Sequence, residues 1–301
     1  MKKVLILMST YNGENYIREQ LDSIQRQSYA NQFLLIRDDG STDATIEIIR
    51  EYQKEYNNIT LIVGDNIGVW KSFFELCKEA NGKAEYYALA DQDDYWLPNK
   101  VSAAVRVMEA NKKKIPFLYA GNKTLVDAKL SLISSEIKEP AKRLPSFGNA
   151  LVENICTGCT CMMNQALLTE VCRYLPENVI MHDWWIYLIA STLGEVWYDQ
   201  KSYLLYRQHA KNVHGTMVKK KTLFFHRICE LRKKRGQVYQ QVEMLKKIVP
   251  LSFEQQKMAD KVLKSRDSII GKWRLLKDSR IGRQGKEQRM VYRILVLLGK
   301  L

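Results

Sequence analysis

Tyr86-Tyr87-Ala88-Leu89-Ala90-Asp91-Gln92-Asp93-Asp94-Tyr95-Trp96 passes from an apolar run straight into three carboxylates. A buried strand in an open α/β sheet ends at the sheet's carboxyl edge, where such sheets bind their ligands. Acids at that edge suit a cation. Mg²⁺ and Mn²⁺ prefer hard oxygen ligands, and a Mg²⁺ site usually joins one or two carboxylates to phosphate oxygens and water. The stretch therefore points to a nucleotide phosphate. The plainer explanation is an acidic loop capping the helix that Pro98 opens, and the surrounding sequence weighs against it.

Upstream, strand and helix signals alternate. Val4 to Met8 reads as a strand, and Ile17, Leu21 and Ile24 mark one face of a helix from about Glu14 to Arg26. Phe33 to Ile36 is the next strand, followed by Asp38-Asp39-Gly40-Ser41-Thr42-Asp43 and a helix with Ile46, Ile49 and Tyr52 inward. Thr60 to Val63 is a strand, Val69 to Ala80 a helix, and Tyr86 to Ala90 the fourth strand. The helix after Pro98 packs Val101, Val105 and Met108. This alternation predicts an α/β fold on a parallel sheet.

Beyond Pro116 the pattern loosens. A strand is expected near Phe117 to Ala120, and a loop from Ser134 to Pro145 where an acceptor could bind. Asn164 has the position of an N-cap for a helix burying Leu168, Val171, Cys172 and Leu175. A second helix should begin near His182, and Glu195 to Tyr198 with Tyr203 to Tyr206 read as a pair of closing strands.

At 301 residues and 46% apolar content the chain can bury a full core. Lys2 and Lys3 precede only the short apolar run Val4 to Met8, too brief for a signal-peptide core. No stretch approaches the roughly 18 to 20 apolar residues of a membrane span, so a cytoplasmic protein is expected. Cys156, Cys159 and Cys161 crowd together, but the other cysteines lie at 77, 172 and 229 and supply no second ligand pair for zinc. They are expected to be buried thiols.

The net charge of +14 is unevenly spread. Met217 to Leu301 holds 23 Lys and Arg against 7 Asp and Glu, a net of +16, which leaves −2 for the rest. The expected organisation is a catalytic domain over 1–215, with a nucleotide-binding half at 1–115 and an acceptor half at 116–215. A basic helical region follows over 216–301.

Four segments occur in order: STYNGENYIREQLDSIQRQSY at Ser9 to Tyr29, RDDGSTDAT at Arg37 to Thr45, DNIGVWKSF at Asp65 to Phe73 and DQDDYWLPNK at Asp91 to Lys100. Together they resemble the inverting family 2 glycosyltransferases with the GT-A fold, over roughly residues 1 to 210. DQDD, an aromatic and WLPNK are most similar to bacterial rhamnosyltransferases of cell-surface polysaccharide synthesis.

The resemblance implies roles that chemistry supports. Thr10 and Tyr11 end the first strand, where the family packs the nucleotide base, and an aromatic ring can stack on a pyrimidine. Asp38 or Asp39 can accept the imide N–H of uracil or thymine, while the other serves only to cap. Gly68 lets the chain approach the nucleotide closely, and Lys71 could reach base or phosphate or simply face solvent. Asp91 and Asp93 match the family's DxD motif, with Gln92 between them at the donor site: Asp91 approaches the ribose and Asp93 binds Mn²⁺ or Mg²⁺, with Asp91 near the ion. Asp94 orients its neighbours, and Trp96 reads better as core than as sugar platform.

Inversion also needs a base for the acceptor hydroxyl. Met181-His182-Asp183-Trp184-Trp185 is similar to the family's ED motif and places Asp183 at the base position, with His182 where the family often has an acid. Tyr206-Arg207-Gln208-His209 with Asn212 resembles the segment that closes the catalytic domain. His209 is a further metal or phosphate contact there, and Arg207 a diphosphate clamp.

Lys219 to Lys221, Arg232 to Arg235 and the Lys/Arg series from Lys257 to Arg293 suit an anionic surface. The spacing of Leu223, Phe224, Ile228 and Leu231, and the run Ile294 to Leu298, favours an amphipathic helix on the inner membrane face. A helical bundle that only completes the fold is the alternative, and no nucleic acid is expected. The resulting expectation is transfer of a sugar, L-rhamnose from dTDP-rhamnose or a hexose or N-acetylhexosamine from a UDP-sugar, to a lipid-linked glycan. A non-catalytic sugar-nucleotide or glycan-binding protein is the rival.

Overall fold

A computed structural model describes residues 1–111, 113–133, 144–209 and 236–301. Most of the expected loop at Ser134 to Pro145, the boundary near 215 and Asn212 lie outside the described residues. So do Cys229 and the basic and apolar positions expected between Lys219 and Arg235.

The strands are β1 (Val4–Thr10), β2 (Gln32–Asp38), β3 (Ile59–Val63), β4 (Tyr86–Ala90), β5 (Tyr95–Trp96), β6 (Phe117–Val126), β7 (Met162–Asn164) and β8 (Glu195–Arg207). The helices are α1 (Ile17–Gln25), α2 (Thr45–Glu55), α3 (Val69–Ala80), α4 (Lys100–Ala110), the short α5 (Phe147–Ala150), α6 (Gln165–Arg173) and α7 (His182–Leu193). Near the C-terminus come α8 (Gln237–Ile248), α9 (Phe253–Lys264), α10 (Ile269–Lys277) and α11 (Lys286–Leu298).

One eight-stranded sheet has the order β3-β2-β1-β4-β7-β6-β8-β5. β1, β2, β3 and β4 run parallel, as their alternation with helices predicts. Their apolar runs are continuous because both faces are covered. Leu5, Leu7, Leu35, Tyr87 and Leu89 join the core under α3, α6 and α7. Their neighbours Val4, Ile6, Met8, Leu34, Ile36 and Ala88 join the core under α1, α2 and α4. Register then aligns the strand ends: Thr10 lies beside Asp38, and Met8 beside Ala90. Every loop leaving those ends opens on one edge.

The other half departs from the expected pattern. β7 is antiparallel to both β4 and β6, and β5 is antiparallel to β8. Both are too short to carry a periodic signal. The expected pair of closing strands is a single strand, β8, parallel to β6 with register shifts at Gly121/Asn122 and Asn122/Thr124. The polar residues 199–202 remain in the strand because Asp199 accepts the Tyr119 hydroxyl and Asn122 Nδ2 donates to the Gln200 carbonyl. Helix α1 starts at Ile17 rather than Glu14, since the Gly13 carbonyl closes a turn with Tyr16 and Ile17. In α2, Ile48 and Ile49 are buried while Ile46 is only half-buried. Asn164 caps α6 through its side chain, accepting from Leu167 N at 2.9 Å. Trp96 is core, and Cys156, Cys159 and Cys161 are buried.

The C-terminal helices share the main core: Tyr239, Val242, Leu245, Val262, Leu275, Tyr292 and Leu295 pack in the same cluster as the sheet. Contact is close enough that a Cβ on Gly148 would lie 2.1 Å from the Arg280 carbonyl oxygen. One side of α11 stays bare. Tyr292, Leu295 and Val296 point inward, while Met290, Ile294, Leu297 and Leu298 are exposed. On α10, Ile269, Ile270 and Trp273 are exposed as well. Among the described residues no helix is long and apolar enough to cross a membrane.

Candidate active site

A cavity of about 860 Å³ opens at the carboxyl ends of β1, β2 and β4. Thr10, Tyr11, Asp39, Gly68, Asp91, Gln92, Asp93, Asp183 and His209 line it. Segments far apart in the chain therefore meet at one surface. Asp38, Lys71 and Arg207, also expected at the donor site, lie off that wall.

The strand-end aspartates divide their work. Asp38 is fully buried and accepts from Ser41 N, Ser41 Oγ and Thr10 Oγ1, all at 2.7 Å. Its place is to fold the turn after β2. Asp39 pairs with Arg37 and accepts from Ile67 N at 3.0 Å and Gly68 N at 2.9 Å, so it fixes the loop before α3. A carboxylate has about four acceptor sites, and Asp39 keeps one edge to the cavity. Gly68 has φ 86°, a conformation that strains residues with a Cβ, and open space lies over it. Lys71 is exposed, with Nζ 5.4 Å from the Trp70 ring centre.

Tyr11 and Gln92 lock together. Tyr11 N donates to Gln92 Oε1 at 2.9 Å, and Gln92 Nε2 donates to the Tyr11 carbonyl at 3.0 Å. The Gln92 amide thus ties the loop after β1 to the acidic loop after β4. Gly13 makes room, since a Cβ there would come 2.3 Å from Gln92 Oε1. The Tyr11 side chain stays exposed at the rim.

The acids crowd one another in a partly buried setting. Burial, then Asp93 and Asp183, push the Asp91 pKa up to about 7. Asp94, fully buried, is raised well above its ordinary value by burial and by Asp91 and Asp93. Asp93 Oδ2 meets His209 Nε2 at 2.8 Å, and the His209 ring stacks on Tyr16. Arg207 lies behind this group: Nε donates to the Asp93 carbonyl at 2.8 Å, and the terminal nitrogens bond the Ala128 carbonyl and Glu19. It braces the acidic loop in the position where a phosphate clamp was expected.

Two sets of donors could hold a metal ion. Asp91, Asp93 and His209 offer carboxylate oxygen and imidazole nitrogen at the cavity surface. Asp91, Asp94 and Cys159 have ligand atoms within 4.8 Å of one another. Cys159 is buried, and burial raises its thiol well above the ordinary range. A protonated, soft sulfur suits Mn²⁺ or Mg²⁺ poorly. The first set has the harder donors, and the raised Asp91 value comes first from burial and then from the charge of Asp93 and Asp183, which such an ion would offset.

Asp183 opens α7 from a nearly buried position on the cavity wall. Its Oδ2 accepts from Gly158 N at 2.9 Å and its Oδ1 from Trp184 N at 2.7 Å, which fixes the carboxylate. The neighbouring His182 is not its hydrogen-bond partner. Its ring stacks on Phe73 with centres 3.9 Å apart, burial lowers its pKa to about 4, and both ring nitrogens lack partners among the described residues. Burial thus favours the neutral imidazole at His182.

Several wall residues escaped sequence reading: Lys123, Asn154, Gly158, Arg283 and Lys300. No motif surrounds them. Lys123 comes from the middle of β6, and the last two from a region read for its net charge and apolar spacing rather than for site residues.

The fold is that of a GT-A glycosyltransferase. The chain superposes on TarS 1–349 of S. aureus in complex with UDP-GlcNAc with a TM-score of 0.60 at 20% identity, over 87% of this chain and 70% of that one. On the mannosyltransferase PcManGT of Pyrobaculum calidifontis, in complex with GDP-Man and Mn²⁺, the TM-score is 0.57 at 16% identity, over 91% and 72% of the two chains. Sequence is more specific: the glycosyl transferase family 2 pattern matches residues 5–172, more than half of the chain, which belongs to that family. A dTDP-rhamnosyl transferase, RfbG of Shigella flexneri, is 32% identical over 228 residues, 70% of this chain and 74% of that protein. The protein is an inverting glycosyltransferase.

Proposed function

We propose that this glycosyltransferase is metal-dependent and moves L-rhamnose from dTDP-rhamnose to a lipid-linked cell-surface glycan. The observation that carries the reading is the shared cavity, with Asp91, Asp93 and His209 on its wall together with Asp183. Asp91, Asp93 and His209 would hold Mn²⁺ or Mg²⁺, and the ion supplies Lewis-acid stabilisation to the departing nucleoside diphosphate. Thr10, Tyr11, Asp39 and Gly68 form the surface for the base and ribose. Asp183 takes the proton of the acceptor hydroxyl as its oxygen attacks the anomeric carbon opposite the leaving group.

The dTDP-rhamnose assignment is supported by the name of the 32% identical relative. UDP-sugars are the second reading, favoured by the UDP-GlcNAc bound to the similarly folded TarS. A thermal-shift panel with Mn²⁺ separates them, because a ligand that binds the native state raises its apparent stability. Selective stabilisation by dTDP-rhamnose is expected, and preference for a UDP-sugar would replace the donor.

The same reading puts the protein at the cytoplasmic face of the membrane, where a lipid-linked acceptor would be held. Support comes from the exposed apolar stripe of Ile269, Ile270, Trp273, Met290, Ile294 and Leu297 on helices rich in Lys and Arg. Such a face suits the boundary of an anionic bilayer.

A further inference from the structure

The cations on the cavity wall belong to two places. Lys123 acts on Asp91, lowering its pKa, and donates to Thr157 Oγ1 at 3.1 Å, so it serves the acidic end. Arg283 comes from the turn before α11. Its Nε donates to the Val152 carbonyl at 2.8 Å, which fixes the guanidinium against the segment after α5.

The charge of Arg283 is only partly offset. Among the described residues its two terminal nitrogens have no hydrogen-bond partner and it forms no ion pair. Glu153 is the nearest acid to act on it, but Glu153 Oε2 already accepts from Gln284 N at 2.7 Å and Asn149 Nδ2 at 2.8 Å. Burial is the largest influence on the guanidinium and lowers its pKa. The side chain is half-buried, so its charge is partly withdrawn from water, and a cation so placed favours an anionic partner. The open terminal nitrogens form a planar fork that matches carboxylate or phosphate oxygens. Trp184, next to the base, and Lys300 share the same cavity wall.

We propose that Arg283 forms an oxyanion subsite in this cavity, with Lys300 adding positive charge, and that it receives a phosphate or carboxylate group of the acceptor. The inference rests on the glycosyltransferase reading of Asp183. It adds that the acceptor is anionic near its reacting hydroxyl. A sugar attached to a diphosphate and a uronic acid residue both provide the required group.

The test uses the full chain with Mn²⁺ and saturating dTDP or UDP, so that the donor end is filled. Glucose 1-phosphate, glucuronic acid and methyl glucoside are then titrated by calorimetry. At least one charged probe should bind about tenfold or more tightly than methyl glucoside, the scale of a charge-assisted hydrogen-bonded contact. Arg283→Gln should abolish that difference and Arg283→Lys retain part of it. Preference for the phosphate identifies a phosphate-linked acceptor, and preference for glucuronate an acidic sugar. Equal binding of all three probes by the unaltered protein would overturn the subsite, whether or not the variants fold. So would a preference that survives Arg283→Gln. If neither nucleotide binds while a charged probe still does, the donor reading fails and the subsite stands.

Discussion

Nε2 of His209 lies 2.8 Å from Oδ2 of Asp93, and two residues before it Arg207 Nε holds the Asp93 backbone carbonyl. One short segment at the end of β8 therefore fixes the side chain and the main chain of the same aspartate. The two contacts have different consequences. His209→Ala and Asp93→Asn should lower metal-dependent transfer by at least about tenfold with little change in melting temperature, as removal of a metal-shell group does. Arg207→Met should instead unfold more easily, because it strips a buried network of its donors. Steady-state rates over a Mn²⁺ titration, read beside melting curves, check both. Loss of stability in His209→Ala with unchanged metal response would contradict the assignment.

Asp183→Asn keeps the shape of the side chain but cannot accept a proton. The turnover number for transfer should fall by about 10² to 10⁴, the usual contribution of a general base. Donor affinity should stay within a factor of about two. A variant with near-normal turnover would remove Asp183 from the mechanism.

The Asp91 value of about 7 sets a pH dependence. Its folded-state pKa lies above the ordinary 3.8, so its stabilising contribution is complete below about 3.8 and is lost as pH rises through about 7. Cation-free protein should therefore be less stable at pH 8 than at pH 6 on account of this group. Mn²⁺ competes with the proton and should raise the melting temperature more at pH 8. Equal Mn²⁺ shifts at both values would show that Asp91 does not face the ion.

Trp273 and Leu297 lie on the bare faces of α10 and α11, and both are more than half exposed. Trp273 emission should shift to the blue on anionic vesicles and remain unchanged on neutral ones. Trp273→Glu with Leu297→Glu should abolish sedimentation with vesicles while transfer to a water-soluble acceptor continues. Binding that persists in this double variant would assign the stripe to another contact.

The nucleotide half was the most legible part of the sequence, because β1 to β4 are apolar runs separated by helices whose buried face repeats at helical spacing. Asp91, Asp93 and Asp183 stood out through the ordered motifs around them, since an acid at a strand end or a helix start is by itself explained by capping. The readings were less sharp where tertiary contacts set the local structure. β7 has three residues and its order follows from pairing with β4 and β6. The long β8 keeps a polar middle because β6 pairs with it through two register shifts. Asp38 and Asp39 are adjacent with identical side chains, and only the partners reached across the sheet edge separate them. Arg283 is one of many basic residues in its region, and only the position of Val152 and Glu153 marks it out.

The close approach of Gly148 to the Arg280 backbone bears on how such an enzyme could be rebuilt. One wall of the cavity is made by loops at the ends of β1, β2 and β4, while Gln237, Arg283 and Lys300 reach it from the last third of the chain. A chimera that exchanges residues 236–301 for those of a related transferase would keep the nucleotide-facing loops and Asp183 and renew only the part of the wall that Gln237, Arg283 and Lys300 supply. Such a graft must keep glycine at 148, since the incoming main chain leaves no space there for even a methyl group.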